Sequence, residues 1–312
     1  MAEIPLAGGF VNQVVRVGDT VRRAGGARAA FVRELLAGFE RAGWAGAPRH
    51  LGTDERGREV LSFVAGEVPW EPARAAALRS DANLVRVAEL VREFHDLTVG
   101  MARAFGAEVV CHNDLSPRNT VYRDPGDPHL ADRNLGDQDP ADRDPFGRNF
   151  GGRDPADWNP ADWHLASPDL ADQYLGGRDP ASLDLGGRGL GLGARPVAFI
   201  DWDLAAPGRR VHDLAHVCWQ FLDLGPGVRD VRQAARRLRL ICDAYGTDAR
   251  LELVEAILWW QDRCWRGIES GAAAGEPAMV RLRDVGAPAA VLAAHRWVTE
   301  HRAQLEAPLR HP

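Results

Sequence analysis

Two short apolar runs lie on either side of a long tract: Thr120-Val121-Tyr122, and Pro196-Val197-Ala198-Phe199-Ile200. The first follows the polar segment His112–Asn119, and the second ends on Asp201. Joined as an antiparallel hairpin, they bring their polar ends to one side, so Asp114, Asn119 and Asp201 become neighbours whatever lies between the strands. That single pairing constrains the rest of the chain more than any other feature.

The intervening segment, 125–193, repeats with a period of five. Leu130, Leu135, Pro140, Pro145, Phe150, Pro155 and Pro160 share one register, which Leu165, Leu170, Leu175, Pro180, Leu185 and Leu190 continue. The period resembles that of the pentapeptide-repeat family, whose chains wind into a square β-helix. That family places a small residue two positions before its inward Leu or Phe, where this chain has Arg133, Arg148, Trp163 and Gln173. Arginines facing a narrow interior are costly unpaired charges. The Gly, Pro and Asp content points to a tandem expansion lodged in a hairpin turn and lacking order, with an ordered β-solenoid as the alternative.

Outside the tract the periodicities separate into two halves. Val11, Val14, Val15 and Val17, a Gly18-Asp19 turn and Thr20–Arg23 read as a hairpin. A helix over 29–42 is striped by Phe31, Leu35, Leu36 and Phe39, and Glu59–Val64 reads as a buried strand. Asp81 caps a helix running to Leu97. After Asp213 the pattern is helical, near 213–223, 229–245, 250–270 and 288–304. A β-rich front and a helical back predict an α+β chain in two lobes, 1–66 and 67–312.

At 312 residues, 45% of them hydrophobic and 26% charged, the chain can bury a large core. No apolar run reaches the roughly 18 residues of a membrane span, and Met1–Pro5 lacks the marks of a signal peptide. The expectation is a cytoplasmic protein with no membrane partner. Cys111, Cys218, Cys242 and Cys264 form no CxxC pair, so neither a zinc site nor a disulfide framework is expected. A net charge of −6 argues against nucleic acid. The chain contains no lysine, so each fixed side-chain cation is an arginine.

Phosphoryl transfer needs few protein groups: a carboxylate to orient the attacking hydroxyl, a carboxylate and an amide oxygen for Mg2+, and a cation on the phosphates. His112-x-Asp114-x4-Asn119 followed by a strand pair ending in Ile200-Asp201 resembles the catalytic and metal loops of the aminoglycoside phosphotransferase and choline kinase family, small-molecule relatives of protein kinases. The resemblance implies a two-lobed kinase-like fold. It also implies Asp114 as catalytic base, Asn119 and Asp201 as Mg2+ ligands, and His112 as a structural anchor. Asp213-Leu214-Ala215 resembles the family's helix-start motif, whose Asp braces the catalytic loop. The nucleotide-binding lysine of the family has no counterpart, so Arg22, or Arg23 by one register step, takes its place, with Glu34 as its helix carboxylate. Ala7-Gly8-Gly9 stands where the glycine loop belongs. Ser62 and Val64, on the strand after Leu61, would flank the base of ATP or GTP.

Other residues receive plainer readings. Asp203 is a second metal-side or solvent carboxylate, and Cys111 is a small buried residue. Trp259, Trp260 and Trp265 pack the helical core, with a cation-binding aromatic wall as the alternative. His212 and His216 are surface or helix-packing residues. The expected activity is transfer of the terminal phosphate to a hydroxyl of a small polar acceptor. The rival is a non-catalytic kinase-like scaffold, and a protein partner through the repeat tract is a third possibility.

Overall fold

The computed structural model describes residues 2–6, 14–26, 28–125 and 193–310. The Gly8-Gly9 pair and the repeat tract from 126 to 192 lie outside the described residues. The front of the molecule is an antiparallel sheet of β1 (Ile4–Pro5), β2 (Val15–Val17), β3 (Thr20–Arg23), β4 (His50–Thr53) and β5 (Glu59–Ser62), in the order β1-β2-β3-β5-β4. Gly18 takes a φ of 60° in the tight turn that pairs Val17 with Thr20. Helix α1 (Ala29–Arg41) follows β3 and buries Phe31, Val32, Leu35, Leu36 and Phe39, the stripe that its 3.6-residue period predicts.

β5 is shorter than the sequence suggests and ends at Ser62. Phe63 continues the pairing by one bond, its N–H donating to the Asp19 carbonyl at 2.9 Å. The chain then crosses toward the back through Gly66, whose φ is 143°. A Cβ there would stand 2.5 Å from Val121 Cγ1 and 2.6 Å from the Tyr122 carbonyl oxygen, so only glycine allows the backbones to meet. Glu67 and Tyr122 then exchange backbone hydrogen bonds, both at 2.8 Å.

The back is helical: α2 (Pro72–Ala77), α3 (Asp81–Arg103), α4 (Arg210–Leu222), α5 (Val231–Tyr245), α6 (Leu253–Ala273), α7 (Pro277–Asp284) and α8 (Ala287–Glu306). The cap of α3 is Ser80, whose hydroxyl accepts from the Asn83 N–H at 3.2 Å. Asp81, read from sequence as the cap, is instead the acid of the first turn, where it still favours the helix dipole. Two small ladders lie between the front sheet and the helices: β6 (Val109–Cys111) with β9 (Ala206–Gly208), and β7 (Thr120–Arg123) with β8 (Arg195–Phe199).

At one end of the β7–β8 pair Thr120 faces Phe199, next to Asn119 and Asp201. At the other end Arg123 faces Arg195, and here the chain leaves and re-enters the described residues. That far end is tied down. The Arg123 side chain donates to the Ala65 carbonyl, and Asn83 Nδ2 donates to the carbonyls of Leu78 (2.9 Å) and Ala194 (3.0 Å). One apolar core runs from Leu35, Phe39 and Leu61 through Phe94 and Phe199 to the helices.

Candidate active site

The loop from His112 to Asn119 is buried along its whole length. Its entry is fixed by Asp213 on the first turn of α4. Oδ2 of Asp213 accepts from the His112 N–H at 2.7 Å, and Oδ1 accepts from the Asn113 N–H at 2.9 Å. His95 Nε2 donates to the same carboxylate at 3.0 Å, its Nδ1 meets the Tyr245 hydroxyl at 2.8 Å, and Arg210 donates to that hydroxyl oxygen at 2.9 Å. Burial alone would raise the Asp213 pKa, but the His95 hydrogen bond and the loop amides hold it below the usual carboxylate range. Burial likewise pushes His95 down, so a neutral ring donates from Nε2 and accepts the tyrosine proton at Nδ1. His95, Cys111 and Asp213 place ligand atoms within 4.8 Å of one another. Here the carboxylate and imidazole are committed to hydrogen bonds, and burial holds Cys111 as a thiol.

Backbone strain marks two points of the site. Asn113 (φ 65°) and Asp201 (φ 62°) both adopt the left-handed conformation, which L-residues enter at a cost. Asn113 Nδ2 donates to the Leu204 carbonyl at 2.9 Å. Asp201 is held between neighbours: His112 Nε2 meets the Ile200 carbonyl at 3.1 Å, and the Ile200 N–H donates to the Asn119 carbonyl at 2.9 Å. Trp202 follows, buried with its ring 4.5 Å from His112, 5.1 Å from Phe39 and 5.1 Å from Phe94. Burial pushes the His112 imidazole down to about 4, so it is neutral and donates from Nε2.

Asn119 Nδ2 donates to both the main-chain oxygen and Oδ2 of Asp114, each at 2.9 Å. With its nitrogen turned to Asp114, the amide oxygen is the end that a cation would take. Asp201 and Asp203 both bind Arg23: Nη1 reaches Asp201 Oδ1 at 3.0 Å, and Nη2 contacts Asp203 Oδ1. Burial, and then the nearby Asp201 charge, push Asp203 up to about 6 despite the guanidinium. These oxygen donors, short of positive charge and already drawn round one cation, suit a hard divalent ion.

Around Arg23 the structure differs from the sequence reading in two residues. Arg22 does not face the site: it pairs with Asp54 at 3.8 Å on the opposite face of the sheet. Successive strand residues point to opposite faces, and the register Arg23↔Glu59, Val21↔Leu61 puts Arg23 on the inner face with the core. Glu34 is not its partner either; it pairs with Arg41 at 2.7 Å, on the face of α1 away from the Phe31–Phe39 stripe. The carboxylate beside Arg23 is Glu59, 3.5 Å from Nε on the adjacent strand. Ser62 accepts from the Arg49 N–H at 2.8 Å, and Val64 lies just beyond β5 in the crossing to Gly66.

Among the residues given plainer readings, His216 is buried and its Nδ1 meets the Leu115 carbonyl at 3.0 Å. His212 stacks on Trp259 at 4.9 Å. Trp260 is buried, donating to the His212 carbonyl, but Trp259 is 42% exposed rather than part of the core. Glu59, Trp202, His95 and Tyr245 were not picked out from the sequence. Only Trp202, inside Ile-Asp-Trp-Asp, carried a local signal.

No protein-family model matches the chain. Among curated proteins, it is 27% identical over 257 residues to the Trifolitoxin immunity protein of Rhizobium leguminosarum bv. trifolii, spanning 78% of this chain and 74% of that one. Among solved structures, a choline/ethanolamine kinase family protein from Mesorhizobium loti superposes with a TM-score of 0.52 at 15% identity, over 99% of this chain and 92% of its own. An ethanolamine kinase from Plasmodium vivax gives 0.51 at 9% identity, over 97% and 83%. At such identities the likeness concerns architecture, and the chain has a two-lobed, kinase-like α+β fold.

Proposed function

We propose that the protein is a phosphotransferase that moves the terminal phosphate of ATP or GTP to a hydroxyl of a small polar molecule. The observation that carries this reading is the pairing of Asp114 with Asn119 inside a loop clamped by Asp213, with Asp201 leaving the adjoining strand. Asp114 Oδ would accept the proton of the attacking hydroxyl and aim its oxygen at the phosphate. Asn119 keeps that carboxylate oriented through Oδ2. Asp201, Asp203 and the Asn119 amide oxygen would hold Mg2+. When bound, Mg2+ would offset the charge of the donor's phosphates. Arg23 would place a guanidinium toward the same phosphates from the inner face of β3. The base would lie against the segment from Leu61 to Val64. Aminoglycoside-, choline- and sugar-like alcohols are the acceptors to try, together with toxic compounds suggested by the immunity protein relative. The test is nucleotide consumption by the full chain across that panel, with Asp114→Asn as control. Equal acceptor-dependent turnover by wild type and Asp114→Asn would sink the assignment.

A non-catalytic, kinase-like binding protein is the second reading. It is favoured by Arg23 standing in place of a lysine and engaging both carboxylates. Thermal shift with ATP, GTP and Mg2+ separates the two, because a ligand bound only by the folded state raises its stability. No shift at millimolar nucleotide favours the scaffold.

A further inference from the structure

The inner face of the sheet carries more buried acid than one arginine can satisfy. Glu59 is 5% exposed, and Arg23, opposite it in register, is 7% exposed. Arg23 gives its two terminal nitrogens to Asp201 and Asp203 and leaves Nε at 3.5 Å from Glu59 Oε2, beyond good hydrogen-bond geometry. Three buried atoms there have no hydrogen-bond partner among the described residues: Arg23 Nε, Glu59 Oε1 and His50 Nε2. Burying a carboxylate oxygen without a donor is costly, so a second arrangement that supplies one is favoured once the competing demand on Arg23 ends.

We infer that Arg23 is the resident counter-ion of the Asp201–Asp203 pair, and that Glu59 is the carboxylate that receives its guanidinium when a divalent cation occupies the pair. Arg23 and Glu59 are thus positioning residues. The inference rests on reading Asp201 and Asp203 as a metal site. In the arrangement seen here, the guanidinium neutralises two carboxylates that would otherwise repel each other. A divalent ion supplies that charge instead, and the arginine needs only a rotation of its side chain to meet Glu59, already within salt-bridge reach. Glu59 Oε1 then gains the donor it lacks, and the guanidinium is withdrawn from the metal-side carboxylates. Metal binding and Arg23 placement become one equilibrium, so each biases the other.

The experiment is a direct titration of the full chain with Mn2+, without nucleotide, followed by the loss of the free-ion electron paramagnetic resonance signal. Circular dichroism of every variant reports folding. Arg23→Gln removes the internal competitor and is expected to tighten Mn2+ binding by about tenfold. Glu59→Gln removes the receiver and is expected to weaken it by about tenfold in the wild-type background. The decisive measurement is the double variant: with Arg23 gone, Glu59→Gln is expected to leave Mn2+ affinity as Arg23→Gln alone sets it. Should Arg23→Gln fail to fold, Arg23→Lys replaces it in the same cycle, since a compact ammonium cannot fork across both carboxylates. Its expected effect is a smaller tightening. Unchanged or weaker Mn2+ binding on removing Arg23, with binding abolished by Asp201→Asn, overturns the inference and leaves the metal site standing. Equal weakening by Glu59→Gln in both backgrounds overturns it too, since Glu59 would then act only as a distant charge. No Mn2+ binding by any variant overturns the metal-site reading itself.

Discussion

Asp213 and the acids around Arg23 are buried or half-buried carboxylates near one another in the chain's site, on the two sides of His112 and Asp201, and are served in opposite ways. Asp213 alone takes two backbone amides and an imidazole. Among the described residues, Glu59, Asp201 and Asp203 share a single guanidinium, and one oxygen of Glu59 has no hydrogen-bond donor. A carboxylate with a full set of donors fixes backbone; carboxylates short of donors hold an unfilled demand for positive charge. The first arrangement suits a part that must not move, and the second suits a part that exchanges one cation for another.

That contrast can be broken from either side. The largest effect is expected at the braced loop's own acid: Asp114→Asn should lower phosphate transfer by about 10²–10⁴-fold, while its thermal midpoint stays near that of wild type. A matching loss of stability would mean that Asp114 belongs to the scaffold. Next comes Asp213→Asn, which retains shape but replaces one acceptor oxygen by a donor facing backbone N–H groups. Urea unfolding should show a loss of about 3 kcal/mol or more. A loss under 1 kcal/mol would show that the loop stands without its brace.

Protonation offers a comparable test. The folded pKa of His112, about 4, lies below its ordinary value of 6.5. Between those values the unfolded chain binds a proton that the native chain excludes, so the contribution is complete above about 6.5 and is lost as pH falls toward 4. It amounts to roughly 3 kcal/mol. Unfolding of His112→Gln, whose amide nitrogen is as far from Cβ as the imidazole Nε2 that meets the Ile200 carbonyl, should show a correspondingly flatter decline over that interval. The smallest effect is expected at Arg22→Gln. Its ion pair with Asp54 is half-buried at 3.8 Å, so stability should change by less than about 1 kcal/mol. A loss of nucleotide binding, or a tightening of Mn2+ binding, in this variant would reverse the assignment between the two arginines.

Much of this arrangement could be read from residue order, because it rests on local signals. The stripe of Phe31, Leu35, Leu36 and Phe39 places α1 on the core, Gly18-Asp19 turns the hairpin, and the spacing of Asp114 and Asn119 makes them meet across one short loop. Between Arg22 and Arg23, the two candidates that the strand offers, one position is enough to reverse the face, and Arg23 is the one beside Asp201 and Asp203. Glu34 is an acid early in α1, but its side chain turns to Arg41. Glu59, thirty-six residues beyond Arg23, becomes its neighbour only once β3 and β5 pair, and pairing register is a property of two segments together. His95 reaches Asp213 from α3, and Tyr245 reaches His95 from α5, across separations that no spacing within one segment could reveal.

The β7–β8 hairpin has a use beyond aligning Asn119 with Asp201. Its distal strand ends, Arg123 and Arg195, stand opposite each other and are secured through Ala65, Leu78 and Asn83. Two anchored points side by side form a socket: whatever is threaded between them begins and ends at one place. For a flexible loop, each doubling of length adds only about 0.6 kcal/mol of closure cost. An epitope or a small reporter domain grafted at this joint in place of residues 126–192 is therefore expected to ride on the protein as cargo, attached at the end of the hairpin remote from Asp201.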